Sequence, residues 1–139
     1  MQQFDRYTCR AKDQNGNWRF GVYIPPTSRL AAGSPIDEPA RIFTVKENDL
    51  WVVDPETVNQ CTGQPDSQKR MIFDGDILQA SGDEESPYTV FWDGATAAFL
   101  IESNKGRYYP LCDEDTGDME VVGNVLDNPD LLEMEGECL

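Results

Sequence analysis

The chain has 139 residues, 39% of them hydrophobic, with 26 acidic against 11 basic side chains and no histidine, for a formal charge of −15. Residues 1–70 hold nine acids and nine bases, whereas residues 71–139 hold seventeen acids and two bases, Lys105 and Arg107. That field argues against nucleic acid and anionic membrane as direct partners of the second half and makes a basic protein partner plausible; the missing imidazole excludes Ser-His-Asp and Cys-His nucleophiles and every zinc site that needs histidine.

Apolar and aromatic residues come in short runs, often alternating with polar ones and separated by Gly, Pro, Asn and Asp. This pattern predicts an all-β protein, a small barrel or sandwich of short antiparallel strands. In chain order the expected strands are Tyr7–Ala11, Trp18–Ile24, Arg41–Val45, Leu50–Val53, Thr57–Thr62, Asp76–Gln79, Tyr88–Trp92, Ala97–Glu102, Arg107–Leu111 and Met119–Val122. Asn15-Gly16 and Asp93-Gly94 predict hairpin turns, because these residues accept positive φ at little cost, and Asn104-Lys105-Gly106 closes the next pair. The segment from Pro25 to Pro39 holds four prolines and no periodicity, and reads as a long loop. Ser81 to Ser86 reads as an acidic exposed loop. Asn128-Pro129-Asp130 carries a helix-start signature, so a short C-terminal helix is expected, followed by a frayed Glu133–Leu139. No internal repeat stands out. The organisation is read as a single unit over residues 1–139, with a subdivision into an N-terminal β region over 1–56 and an acidic β region over 57–139 as the alternative.

No run approaches the ~20 apolar residues of a membrane span, and Met1-Gln2-Gln3-Phe4 opens no signal peptide. The expectation is a soluble intracellular protein with reduced thiols. Cys9, Cys61, Cys112 and Cys138 form no Cys-x-x-Cys pair, so buried or incidental cysteines are favoured over a disulfide or a four-segment metal site.

Few motifs carry chemistry. In Ile72-Phe73-Asp74-Gly75-Asp76-Ile77-Leu78 the glycine suits a bend and the aspartate a turn acceptor, with the apolar pair entering the core. The competing reading pairs Asp74 and Asp76 on one strand face as metal ligands or an acid/base pair. Asp113-Glu114-Asp115-Thr116-Gly117-Asp118 superficially matches a calcium loop, but Asp118 stands where the glycine is required and Asn124 where the final glutamate is required. Nucleotide-binding and hydrolase fingerprints are missing. Trp18, Trp51, Trp92, Tyr108 and Tyr109 lack the basic groove of a single-strand platform and are expected to pack in the core.

The order of these blocks resembles the YopX family. The resemblance runs from Arg10-Ala11-Lys12-Asp13 and weakly through Trp18 to Ile24, then strengthens at Asp54-Pro55-Glu56-Thr57-Val58-Asn59-Gln60-Cys61-Thr62-Gly63 and at Ile72 to Leu78. Its most distinctive block is Val121-Val122-Gly123-Asn124-Val125-Leu126-Asp127-Asn128-Pro129-Asp130-Leu131-Leu132. Two positions depart from the pattern: Cys61 stands where the family has an aromatic and Lys12 where it has a tryptophan. The resemblance implies an all-β fold, a phage or prophage origin and the cytoplasm of a bacterial host. It supplies no catalytic, metal or cofactor residues.

The functional expectation is a non-catalytic interaction protein, in its sharper form an acidic inhibitor that occupies the nucleic-acid-binding surface of a host defence protein. The alternatives are a homo-oligomeric assembly protein that pairs exposed strand edges, or a metal-dependent hydrolase built on Asp74, Asp76 and the 113–118 loop. Removing the aspartates of the family blocks and the turn residue Asp93 leaves three candidate partner-binding patches. They are Asp83, Glu84 and Glu85; Asp113, Glu114, Asp115, Asp118 and Glu120; and Glu133, Glu135 and Glu137.

Overall fold

A computed structural model describes residues 7–132 of the chain. The fold is all-β, of short antiparallel strands, and no sheet among the described residues closes into a barrel. The chain divides at Cys61/Thr62 into two compact units.

In the first unit the strands are β1 (Cys9–Lys12), β2 (Trp18–Ile24), β3 (Thr27–Ala31), β4 (Ser34–Glu38), β5 (Arg41–Thr44) and β6 (Asp49–Val52), with the opening residues of β7 (Asn59–Pro65). Their main sheet has the order β6-β5-β2-β1-β7. Alternation along β1, β2 and β5 sends Ala11 and Ile42 to one face, where they meet Ala40 and Val53 in a small core flanked by Tyr23, Trp51 and Val58. The Arg19 guanidinium lies 3.6 Å from the Trp51 ring centre and also reaches the Asp13 carboxylate at 2.8 Å. Trp18 is covered in the same way by Arg10 at 4.7 Å and Lys12 at 5.3 Å, so Trp18 and Trp51 are cation-capped and half-buried. Cys9 pairs with Gln60, which turns the neighbouring Cys61 to the opposite face, and neither residue is in a disulfide among the described residues.

The second unit holds the rest of β7, then β8 (Met71–Phe73), β9 (Asp76–Ala80), β10 (Tyr88–Asp93), β11 (Ala98–Glu102), β12 (Tyr108–Pro110) and β13 (Met119–Asn124). Five of these strands form a sheet in the order β12-β11-β10-β9-β13, and β8 neighbours β7. The core is Ile72, Leu78, Ala80, Tyr88, Val90, Ile101, Leu111 and Met119. Each fully buried Ile or Leu contributes on the order of 2 kcal/mol, so this cluster is the main apolar support of the unit.

Three hairpins share one loop. Asp13, Asp66 and Ser103 each end a strand, and each side chain accepts from the backbone N–H two and four residues on: Asn15 and Asn17, Gln68 and Arg70, Lys105 and Arg107. In each, the residue three places on takes positive φ and donates its N–H to the first carbonyl: Gly16, Lys69 and Gly106. This is a type I turn closed by a left-handed residue. All three acceptors are buried. No repeat is visible in the sequence because the device needs only an acceptor at the first position and tolerance of positive φ at the fourth. In the first loop Gly16 alone takes positive φ; in the turn after β10 the left-handed residue is Ala97, not Gly94.

The Pro25–Pro39 segment, expected as a loop, is instead the hairpin β3–β4, turning at Ala32 and Gly33, both with positive φ. Its register continues that of β2 and β5 without slippage: Ile24 faces Arg41 and Thr27 faces Glu38. Prolines at 25, 26 and 39 remove the N–H donors that would join the two ladders, and Pro35 sits on an edge, where a missing donor costs nothing. β8 was hidden by its brevity, and β7 starts at Asn59 because Pro55–Thr57 forms a 3-10 turn capped by Asp54. The expected C-terminal helix begins at residues 130–132, but Asn128 does not cap it with its side chain. That side chain reaches back to accept from the Asn124 N–H at 3.2 Å, and the residues after 132 lie outside the described ones. Nor does the core hold every aromatic: Trp92 is 46% and Tyr108 60% exposed, at the open end of the sheet and on its edge strand.

Two substitutions test this frame. Asp66 is fully buried and accepts a third backbone N–H, from Val121 at 2.9 Å, so it ties the β7–β8 turn to β13. Asp66→Asn leaves one accepting oxygen for three donors and is expected to cost about 3 kcal/mol in urea unfolding. A Cβ on Gly123 would meet Asn128 Oδ1 at 2.6 Å and its Cβ at 3.0 Å. Gly123→Ala is expected to lower the melting temperature by an amount equivalent to about 2 kcal/mol, and an unchanged melting temperature would refute the tight approach.

Candidate interaction site

The three acidic patches have different fates. Asp83 and Glu85 lie in the β9–β10 loop, and both carboxylates face inward to partners of their own chain. The Tyr88 hydroxyl donates to Asp83 Oδ2 at 2.5 Å, and the Glu85 N–H donates to Asp83 Oδ1 at 2.9 Å. The Tyr109 hydroxyl donates to Glu85 at 2.8 Å, and Arg107 approaches the same carboxylate at 3.7 Å. Asn104 anchors the loop from β11–β12 through its side-chain amide, which donates to the Ser86 carbonyl, and through its N–H, which donates to the Glu85 carbonyl at 2.9 Å. Glu84 alone points to solvent, with Lys105 at 3.8 Å.

These contacts set the electrostatics. The Tyr88 hydrogen bond and the Glu85 N–H hold the Asp83 carboxyl below its ordinary range. Burial, then the hydrogen bond to Asp83, push the Tyr88 phenol above its ordinary range, with the charges of Glu85 and Glu114 adding to the effect. Glu114 therefore sits close enough for its charge to be felt at Tyr88. Tyr109 is raised mainly by its hydrogen bond to Glu85.

The second patch follows β12 on two 3-10 turns, Leu111–Asp113 and Thr116–Asp118. Buried Leu111 and Thr116 pin the turns, which leaves Asp113, Asp115 and Asp118 facing water. Asp115 caps the second turn by accepting from Gly117 N–H at 3.1 Å, and the Cys112 thiol lies 3.8 Å from Asp113 Oδ1. Among the described residues no cation pairs with Asp113, Asp115 or Asp118. Glu120 is farther along β13 and meets Arg70 at 3.4 Å. The third patch, Glu133, Glu135 and Glu137, lies outside the described residues. The two bases of the second half, Lys105 and Arg107, thus both stand beside the 83–85 loop, and the 113–118 run keeps its full charge.

Asp74 and Asp76 do not form an exposed pair. Asp76 is buried and accepts from the Phe73 N–H at 2.7 Å, the turn role expected for it. Among the described residues no cluster of three or more Cys, Asp or Glu is placed to hold a metal. Sequence reasoning passed over Tyr88, Tyr109 and Asn104, the residues that turn Asp83 and Glu85 inward; the period-2 alternation placing Tyr88 beside Val90 on the core face was the available signal.

Fold and surface together define an all-β protein in which, among the described residues, an acidic run without a paired cation lies on a pair of surface turns. The chain belongs to the YopX family: the family model, described as YopX protein, matches residues 28–133. That span contains the 54–63, 72–78 and 121–132 blocks in full, while Arg10–Asp13 lies before it. No curated protein matches the chain. Among the described residues, no helix is long and apolar enough to cross a membrane.

The Tyr88–Asp83 pair predicts a pH signature. A carboxyl held below its unfolded value of ~3.9 contributes fully above about pH 4, and that contribution is lost as pH falls through the folded value. A phenol held above its unfolded value of ~10 contributes fully below about pH 10, and that contribution is lost as pH rises. Tyr88→Phe is expected to cost about 1.5 kcal/mol at pH 7. The deficit should shrink below about pH 4 and above about pH 10 in denaturant titrations; a deficit independent of pH would refute the coupling.

Proposed function

We propose that this chain is a non-catalytic interaction protein of phage or prophage origin, working in the cytoplasm of a bacterial host. Its acidic surface run would occupy the nucleic-acid-binding face of a basic host defence protein. The observation that supports the reading is the solvent-facing set Asp113, Asp115 and Asp118, without a paired cation among the described residues, together with exposed Glu84 of the β9–β10 loop. Carboxylates on well-anchored turns lose little freedom on binding, so they present charge in a fixed array to arginines and lysines that otherwise hold phosphates. Asp83 and Glu85 support the surface from inside and are not contact residues in this reading.

The test is competition. The chain should displace a DNA duplex from a basic nuclease, with affinity falling steeply as salt rises. The combined variant Glu84→Gln, Asp113→Asn, Asp115→Asn and Asp118→Asn should fold normally, since asparagine still caps the second 3-10 turn, and should lose at least tenfold in affinity. Equal competition by wild type and variant would refute the assignment. No competition by the wild type across a panel of restriction and RNA-guided nucleases would reduce the acidic run to a solubility device.

A further inference from the structure

The first unit has an apolar surface unrelated to the acidic run. Cross-strand partners share a face, so Val22, Phe43 and Leu50 form one row across β2, β5 and β6, and Ile24, Arg41 and Val52 form the next. The core of this unit lies on the other face. Val22 and Leu50 are each 51% exposed and Val52 39%, and β6 is the edge strand. Arg41, the one charge in these two rows, is paired with Glu38 at 3.1 Å.

The β3–β4 hairpin continues β2 and β5 as an arm. Among the described residues its strands pair only with each other. Continuous register keeps Leu30 and its partner Pro35 on the same face, by alternation, as Val22 and Phe43, and Leu30 is 75% exposed. A lone two-stranded ribbon is marginal in water. This one reaches about 17 Å beyond the prolines, in line with the strands it extends. It therefore lacks the turn it would need to fold back on its own face.

We propose that the first unit self-associates by arm exchange: the β3–β4 arm of one copy lies across the Val22, Phe43, Leu50 and Val52 face of a second copy, and the second arm does the same in return. Three observations favour a second copy as the occupant. Arm and face both expose apolar side chains, Leu30 beside Pro35 on the arm (with the hydrogen-bonded Ser28–Asp37 pair next to them) and Val22, Leu50 and Val52 on the face, and a twofold axis satisfies them together. The first unit holds eight acids and seven bases, so two copies meet there without repulsion, whereas the second unit holds eighteen acids and four bases and repels its like. A row of four side chains is too small for the ~800 Å² per partner of a stable interface, so an occupant must also bring an extended element such as the arm.

Sedimentation velocity of the full chain across a concentration series, with melting temperature as a fold control, tests this. The wild type should sediment as a dimer, twice the 15.7 kDa chain mass. Leu30→Asp at the arm and Val22→Asp on the face should each give folded monomers, and their equimolar mixture should regain heterodimer, because one of the two arm-on-face contacts stays intact. A wild type that remains monomeric at about 100 μM, far above the range of stable dimers of ~800 Å² per partner, overturns the proposal and leaves the face to another chain. A dimer that survives both substitutions overturns it equally, by placing the interface elsewhere.

Discussion

An acceptor at the first position of a hairpin loop is the constraint on which much of this fold depends. Asp13, Asp66 and Ser103 each gather two N–H groups from the loop they open, and Asp66 gathers a third from β13. Without such an acceptor each loop would lose two part-buried hydrogen bonds, at about 0.5–1.5 kcal/mol apiece. The loop at 66–70 has the widest reach. Ser67 N–H also donates to the Met119 carbonyl at 2.7 Å, and Arg70 reaches the Val121 carbonyl at 3.0 Å. Strand β13 is thereby held at its start, and the Gly123–Asn128 turn holds its end, where Val125 N–H donates to the Gly75 carbonyl at 2.9 Å.

The same economy explains where the acidic excess goes. Asp66 and Asp76 are buried acceptors for backbone donors, and Asp83 and Glu85 are acceptors for tyrosine hydroxyls. These carboxylates are scaffold. Among the described candidate residues, the carboxylates left facing water without a paired cation are Asp113, Asp115 and Asp118 on the 111–118 turns. A sheet edge and two pinned 3-10 turns hold them in place, and both bases of the second half are committed to the 83–85 loop.

Strand positions were legible because alternation and turn residues are local properties. Trp18–Ile24 is found at its expected bounds, and the neighbours of the Tyr88, Ala98 and Met119 strands shift by only a residue or two. The hairpin at 27–38 was illegible because proline was read as a breaker, although at an edge its missing N–H is harmless. Asn128 has the residue type of a helix N-cap, but its side chain serves the turn before it, where Gly123 leaves room, and not the helix after it. The candidate site was legible only as composition. Which carboxylates face water depends on Tyr88, Tyr109 and Asn104, which come from three different elements.

The sequence by itself determined the all-β class, the family, the absence of imidazole chemistry and the confinement of net charge to the second half. Each follows from residue type or local spacing, which the chain carries wherever it folds. Only the tertiary structure decided that Asp83 and Glu85 turn inward while Asp113, Asp115 and Asp118 do not. It also decided that a proline-rich stretch extends two strands as an arm. Both outcomes are set by partners far apart along the chain, and a carboxylate has no direction until the donors around it are in place.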